Sequence, residues 1–375
     1  MERFADILGQ PAAVEVLRQT VARHQPFHAY LFHGPEAVGK MTTATAFARA
    51  LLCLNPSEGE ACGECLACKK FASGNHPDFR TIGVQKAGKS GESDHWRISI
   101  DQIRQNPSKP RVTPPPLCAD AFYHPIVGEW KVYVIEPADL LSEDAGSALL
   151  KLLEEPPSYV VIILVTARVG MVLPTLRSRC WPVGFRLVAR EPIAGALVTR
   201  GAEPDQARLF AALSEGRLGW AVNNVGNDAI DTARRATIEL LGRLPEMPRQ
   251  ESLQFAEALR EIAKDHFAAG KHAEIGDEPV KGGDSERALR SALPPVLDLA
   301  VCWFRDLLLT SQQSDSLIAN ADYRELLEAQ AAHSDCERVR NCIVALLETK
   351  QLLARFASPV LATEALAVKL RREMT

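Results

Sequence analysis

Seven residues near the start of the chain have the spacing of a phosphate-binding loop. Gly34 to Lys40 match the pattern GxxxxGK and lie between an apolar run that predicts a strand and an alanine-rich segment that predicts a helix. In this context glycines let backbone N–H groups curl around phosphate oxygens, and the lysine reaches the outer phosphates. We therefore expect Gly34, Gly39 and Lys40 to form a nucleotide-binding loop.

Two positions on which nucleotide hydrolysis depends carry unsuitable residues. The residue after the lysine, whose hydroxyl should ligate magnesium, is Met41. In the apolar segment that starts at residue 132, Glu136 takes the place of the metal-binding acid, and Pro137 takes the place of the acid that orients water. A thioether binds magnesium poorly and proline has no titratable group. The sequence therefore predicts impaired magnesium binding and hydrolysis, and it leaves ATP binding open.

Four cysteines form a second cluster with a chemical signature, within residues 53–68. Two CxxC steps share a central cysteine, and a fourth thiol precedes them, which suits tetrahedral zinc. An iron–sulfur cluster, which uses overlapping spacings, and unliganded thiols are the alternatives. Because protein would fill all four coordination positions, we expect Zn²⁺ here to be structural. The predicted ligands are Cys53, Cys62, Cys65 and Cys68.

One arginine follows the third predicted strand of the chain. Arg179 lies in the segment LPTLRSRC, residues 173–180. An arginine at such a place can stabilise transition-state charge on the nucleotide of a neighbouring subunit, as an arginine finger. The alternative is an ordinary solvated arginine, because single surface arginines are common. Spacing alone favours the solvated arginine.

Strands and helices alternate in the first half of the chain, and helices fill the second. This alternation predicts a parallel sheet with helices on both faces. After about Phe185 alanine- and leucine-rich segments take over, and from about Pro248 they have the periodicity of long helices. We expect loops at residues 84–95 and 105–130. The predicted domains are an α/β P-loop domain at 1–185, a small helical lid at 186–247 and an all-α domain at 248–375.

Composition limits the class of protein. The 375 residues are 46% hydrophobic and 24% charged, which excludes a disordered or low-complexity chain. The formal net charge of −4 means that net charge does not attract nucleic acid or an anionic membrane. The first residues lack a secretory profile, and clustered cysteines favour a reducing compartment. We expect a cytoplasmic protein that does not enter a membrane.

Together these motifs resemble the clamp-loader branch of the AAA+ family. The resemblance covers roughly residues 1–185 and is weaker in the helical remainder. Its carriers are FADILGQPAAVEVLRQTV, HAYLFHGPEAVGK, the four-cysteine insertion after the first helix, LLKLLEEPP at 149–157 and LPTLRSRC at 173–180.

The resemblance implies a part in loading the sliding clamp onto primed DNA during replication by DNA polymerase III. Its partners would be the delta and gamma/tau subunits in a hetero-pentamer, the clamp and, within the assembly, primed DNA at replication forks of the nucleoid. Residues 248–375 would form the oligomerisation collar. Arg179 would be the finger that serves an adjacent ATPase subunit.

Three departures from the family's motor subunits imply a particular role. Met41 and Pro137 replace the threonine and the second acid of the motors, and Trp220 replaces their nucleotide-sensing arginine. We therefore expect a non-hydrolysing stator, with an active motor ATPase as the alternative. A third hypothesis is a nucleic-acid-binding zinc element, for which only Lys69, Lys70 and Phe71 offer basic or aromatic side chains.

Overall fold

The computed structural model describes residues 3–86, 96–105, 114–267, 284–314 and 317–374. The strands are β1 Ala29–His33, β2 Phe79–Ile82, β3 Gln85–Lys86, β4 Trp96–Arg97, β5 Lys131–Ile135, β6 Val160–Thr166 and β7 Trp181–Gly184. The first eight helices are α1 Pro11–Ala22, α2 Lys40–Leu52, α3 Leu66–Ala72, α4 Ile100–Ile103, α5 Leu117–Asp120, α6 Glu143–Glu154, α7 Pro174–Arg177 and α8 Arg190–Thr199. The remaining helices are α9 Pro204–Leu213, α10 Leu218–Asn224, α11 Asp228–Gly242, α12 Ser252–Phe267, α13 Asp284–Ser311, α14 Arg324–Ala331, α15 Cys336–Ala354 and α16 Pro359–Met374.

Five of the strands form one parallel sheet in the order β2-β5-β6-β1-β7. Strand β1 lies between β6 and β7, so that Tyr30 is paired with Ile163 on one side and with Trp181 on the other. Strands β3 and β4 form a separate antiparallel pair. Because the carboxyl ends of parallel strands meet at one edge, the segments that follow β1, β5 and β6 lie close together.

The alternation of side chains along the strands explains why helices cover both faces of the sheet. In β1, Tyr30 and Phe32 pack on one face with Leu17 of α1 and Phe47 of α2. On the opposite face, Leu31 packs in a second buried cluster that includes residues of α6 and α7. Strands buried on both faces have continuous apolar sequences, as β5 and β6 do.

The predicted fold class is confirmed: a parallel sheet with helices on both faces is followed by a helical region. Strands β2 and β7 were not expected, because each has only four residues and a mixed burial pattern. The predicted loop at 105–130 contains the short helix α5, and the predicted loop at 84–95 contains the two-residue strand β3, whose partner β4 follows that loop. Residues 87–95 and 106–113 of these loops lie outside the described residues. In the described part of the chain, no helix has the length and apolarity that a membrane span requires.

The chain divides into two compact units. The first comprises Met1–Ile193 with Gly216–Trp220, and the second comprises Ala194–Glu215 with Ala221–Thr375. The core of the second unit surrounds the fully buried Trp303. There the buried carboxylate of Asp306 accepts hydrogen bonds from the backbone N–H groups of residues 319 and 320, at 3.0 and 2.8 Å. The finer division at residues 185 and 247 into core, lid and collar stays a prediction.

Candidate nucleotide and metal sites

The phosphate loop runs from the end of β1 to the start of α2 and depends on its glycines. Gly34 has φ 144°, and a Cβ at this position would lie 2.3 Å from the carbonyl oxygen of Phe185. Gly39 has φ 96° at the N-cap of α2, and a Cβ there would meet no atom within 4 Å. Both conformations favour glycine, but only Gly34 is also enclosed by backbone. The loop is therefore packed tightly against the segment that follows β7.

Lys40 points back into the loop that precedes it. Its ammonium donates hydrogen bonds to the carbonyl oxygen of Gly34, at 2.9 Å, and to that of Pro35. Burial lowers the pKa of Lys40, although the negative charges of Glu136, Glu36 and Asp139 partly oppose this effect. The loop's own carbonyl groups thus occupy the ammonium that would bind an outer phosphate.

A cavity of about 520 Å³ opens beside Lys40 at the carboxyl edge of the sheet. Its lining brings together three predicted site positions, Lys40, Glu136 and Pro137, with residues from β6 and the segment after it. Burial raises the pKa of Glu136, and the nearby Lys40 charge partly opposes this. Among the described lining residues there are three carboxylates and two cations, which makes the cavity unfavourable for a polyanion. The full lining is Glu36, Ala37, Lys40, Glu136, Pro137, Asp139, Leu140, Val165, Thr166, Ala167 and Arg168.

A polar network in this cavity was missed in the sequence. The carboxylate of Asp139, only 3% exposed, accepts a hydrogen bond from the Thr166 hydroxyl at 2.7 Å and one from Arg168 Nε at 2.8 Å. Thr166 ends β6 and Arg168 follows it closely, so both lie at the same sheet edge as the phosphate loop. Their positions after an apolar strand are a signal that the sequence offered.

Neither Met41 nor Thr43 provides a side-chain hydroxyl at the position where the motif expects a magnesium ligand. The partly buried Met41 side chain packs against the apolar cluster on the α1–α2 face of the sheet. The hydroxyl of Thr43 donates to the carbonyl oxygen of Gly39 at 2.8 Å. Because this hydroxyl caps the backbone of its own helix, it does not replace the one that Met41 lacks.

A segment of α10 lies against the phosphate loop. The N–H of Gly219 donates to the carbonyl oxygen of Ala37 at 2.7 Å, and a Cβ on Gly219 would lie 3.0 Å from that oxygen. The guanidinium of Arg217 lies 5.9 Å from the ring centroid of Trp220. Trp220 stands where the resemblance implies a nucleotide-sensing arginine. It directly follows Gly219, the residue that contacts the loop.

The four predicted cysteine ligands lie together. All four sulfurs lie within 4.8 Å of one another, and three of the separations are 3.5, 3.9 and 4.0 Å. Four sulfurs bound at about 2.3 Å to one tetrahedral zinc ion lie roughly 3.8 Å apart. The arrangement therefore fits a tetrathiolate metal site. Cys53 follows the end of α2, Cys65 caps α3, and the remaining ligands, Cys62 and Cys68, lie before that cap and within α3.

The protonation of the thiols is uneven. Burial raises the pKa of Cys53 to about 12. At Cys65 burial acts in the same direction, but hydrogen bonds from the backbone N–H groups of Cys68 and Leu54 and from neighbouring thiols outweigh it and lower the pKa to about 6. A thiolate is thus already favoured at one position at neutral pH. Binding of a cation to all four sulfurs would release protons from the others.

The cysteine module is tied to the start of the chain through Glu60. Its carboxylate accepts hydrogen bonds from the Arg18 guanidinium at 3.0 Å and from the Phe4 backbone N–H at 3.3 Å. Gly59 makes this approach possible, since a Cβ there would lie 2.3 Å from the Arg18 carbonyl oxygen. Metal occupancy of the module would therefore support the packing of α1 as well as that of α3.

Arg179 lies outside the cavity and folds back on its own chain. Its guanidinium donates to the carbonyl oxygen of Thr175 at 3.0 Å and to the carboxylate of Glu154 at 2.8 Å. The side chains of Arg179 and Glu154 are 36% and 50% exposed. Because an ion pair this exposed contributes little to stability, a phosphate group on another chain could replace Glu154.

Comparisons with known proteins agree with these motifs. The family model described as DNA polymerase III, delta subunit, matches residues 9–189. DNA polymerase III subunit delta' of Bacillus subtilis is 26% identical over 92% of this chain and 91% of that protein. The chain is thus similar to subunits of DNA polymerase III, and to delta' over most of its length.

Other subunits of DNA polymerase III match over shorter regions. The delta' subunit of Pseudomonas aeruginosa is 36% identical over 43% of this chain and 44% of that protein. The tau subunit of Bacillus subtilis is 32% identical over 52% of this chain but only 31% of tau. The similarity to tau thus extends over about half of the chain's length, whereas one delta' relative aligns over nearly all of it.

The two loop glycines give a matched pair of stability variants. We expect Gly34→Ala to lower the free energy of unfolding by about 3 kcal/mol or more, because a Cβ would collide with backbone in addition to the φ strain. Gly39→Ala should cost only about 1 kcal/mol, from φ strain alone. Urea unfolding followed by circular dichroism measures both. Equal losses would contradict the packing described for the loop.

The cysteine cluster predicts a bound metal ion that supports folding. Freshly purified protein should contain about one equivalent of zinc by plasma emission spectrometry. Cys62→Ser should lose the metal and lower Tm by about 5 °C or more. Cys336→Ser, which changes an exposed cysteine of α15, serves as the control and should leave both values unchanged. Iron in place of zinc, or a metal-free wild type, would contradict the assignment.

Proposed function

We propose that this chain is a non-hydrolysing stator subunit of the DNA polymerase III clamp loader, which helps to load the sliding clamp onto primed DNA. The cavity beside Lys40 carries the proposal. It lies beside the GxxxxGK loop at the carboxyl edge of the sheet, where ligands bind in folds of this kind, but Pro137 lines it where an acid should orient water. Asp139 does not compensate, since both its oxygens accept hydrogen bonds from Thr166 and Arg168.

Electrostatics around Lys40 support the same proposal. The ammonium is engaged by the carbonyl groups of its own loop, and Glu36 and Glu136 line the cavity beside it. A triphosphate would have to displace the loop carbonyl groups from the Lys40 ammonium and lie close to the two carboxylates. Its magnesium ion would also lack the hydroxyl ligand whose position Met41 occupies. The proposed role does not require the chain to bind nucleotide, because its contribution is made to another subunit.

Arg179 is the residue proposed to make that contribution. It is partly exposed and held by a surface carboxylate that a phosphate can replace. A guanidinium supplied from a neighbouring subunit stabilises charge on the transferring phosphoryl group, and this interaction accelerates hydrolysis by a large factor. The chain would thus act on the ATP of an adjacent gamma/tau-type subunit.

The last two helices support assembly into a ring through the C-terminal region. Helices α15 and α16 pack on each other yet retain large apolar side chains that face solvent, which is typical of an interaction surface. In the proposed hetero-pentamer these would contact the delta and gamma/tau subunits. The exposed apolar residues of the two helices and of the connection between them are Val344, Leu347, Leu352, Phe356, Val360, Leu361 and Val368.

An active motor ATPase is the second candidate, because the tau subunit of Bacillus subtilis is 32% identical over 196 residues of alignment. It predicts magnesium-dependent hydrolysis by the isolated chain. The zinc-element hypothesis has less support. Phe71 is partly buried, with its ring centroid 4.6 Å from that of Phe79, and so does not offer a free stacking platform for bases.

Replacement of Arg179 tests the proposed role. In a clamp loader reconstituted with this chain, Arg179→Ala should lower DNA-stimulated ATP hydrolysis by about tenfold or more, because one active site loses its finger. Arg177→Ala, on the exposed face of the same segment, is the matched control and should leave turnover within about twofold. Size-exclusion chromatography verifies that both variants assemble. Unchanged turnover with Arg179→Ala would contradict the finger.

A further inference from the structure

Two aromatic rings lie exposed near Arg179 and contact each other. Phe27 is 41% exposed and Trp181 is 52% exposed, and their ring centroids lie 6.1 Å apart in an edge-to-face arrangement. The imidazole of His28 extends the cluster, with its centroid 4.2 Å from that of Phe27. We call these three side chains the Phe27–Trp181 patch. Large aromatic side chains that remain in solvent as a group mark interaction sites more often than isolated apolar residues do.

The backbone beneath the patch is fixed. The N–H of Phe27 donates to the buried hydroxyl of Tyr30 at 2.8 Å. Trp181 begins β7, the last strand in the sheet order, and is paired with the same Tyr30 on β1. The aromatic rings are therefore carried by a rigid sheet edge, so little conformational entropy would be lost when a partner covers them.

The patch is continuous with the segment that carries the proposed finger. A hydrogen bond joins the His28 side chain to the backbone of Arg179. Between Arg179 and Trp181, Cys180 is buried in the core on the other side of the sheet and anchors this segment. A partner that covers Phe27 and Trp181 would therefore lie beside Arg179.

We propose that the Phe27–Trp181 patch is the anchor by which the adjacent nucleotide-binding subunit docks, so that Arg179 reaches its phosphate. The inference rests on the proposed function and adds the residues that fix the position of the adjacent subunit relative to Arg179. The partner is a protein surface with an apolar pocket next to a bound nucleotide. Nucleic acid is a poorer match, because Glu154 pairs with the nearby guanidinium of Arg179.

The need for an anchor follows from the geometry of the Arg179 side chain. Phosphoryl transfer tolerates little misplacement of a charged group, and a long, partly exposed arginine does not fix the position of a whole subunit. Buried tryptophan and other aromatic side chains at the centre of an interface supply much of the binding free energy. Trp181, two residues from Arg179, is placed to be such a residue.

The experiment measures binding of the full chain to the gamma/tau-type ATPase subunit of the same organism, with ATP present. Trp181→Ala and Phe27→Ala should each raise Kd by about tenfold or more, as expected for central interface residues. Phe122→Ala removes an aromatic side chain that is 64% exposed and belongs to the loop between α5 and β5. It is the matched control and should change Kd by less than about twofold. Circular dichroism confirms that each variant is folded.

The outcomes separate this inference from the proposed function. A measurable wild-type complex with the same Kd for Trp181→Ala overturns the anchor and leaves the stator proposal standing. Equal weakening by Phe122→Ala also overturns it. If Kd depends on Trp181 but hydrolysis is insensitive to Arg179→Ala, the anchor is supported and the proposed role of Arg179 as a finger is contradicted. If the wild-type chain forms no complex, both proposals fail.

Discussion

The packing of the phosphate loop on its own sheet is the constraint on which the first unit depends. Gly34 lies so close to the Phe185 carbonyl that no side chain fits, and Lys40 closes the loop by bonding to carbonyl groups within it. These contacts join β1, α2 and the segment after β7 through groups of the chain itself. A loop of this kind has a structural task that would remain if its catalytic task were lost, because it would still hold the carboxyl edge of the sheet together.

The chemical groups of the chain are distributed as the proposed loss of hydrolysis requires. The cavity beside the loop retains Lys40 and the acid Glu136, but Asp139 is committed to Thr166 and Arg168. Arg179 lies at the surface, where a weak ion pair leaves it available. On the proposed function, the site in which the chain would receive nucleotide is impaired, and the group that it would offer to another site is accessible. This contrast is the physical basis on which we propose a stator.

Local patterns in the sequence predicted what depends on neighbouring residues in the chain. The continuous apolar runs of β5 and β6, the glycine loop and the cysteine spacing all belong to this class, and the four sulfurs do lie together. What the sequence did not indicate depends on strand order. Strand β7 is short, yet its place beside β1 brings Trp181 to Phe27, which lies far earlier in the chain. Likewise Glu154 meets Arg179 only through packing of α6 and α7, which no periodicity encodes.

The central claim, that this chain does not hydrolyse ATP itself, is tested most directly by steady-state hydrolysis with the purified chain alone in the presence of magnesium. Lys40→Ala, prepared in parallel, is the control for contaminating ATPases, because a true activity of this chain would be lost with the loop lysine. We predict that wild type and Lys40→Ala have the same rate, at background level. A saturable, magnesium-dependent rate in the wild type that Lys40→Ala abolishes would contradict the account and identify the chain as a motor.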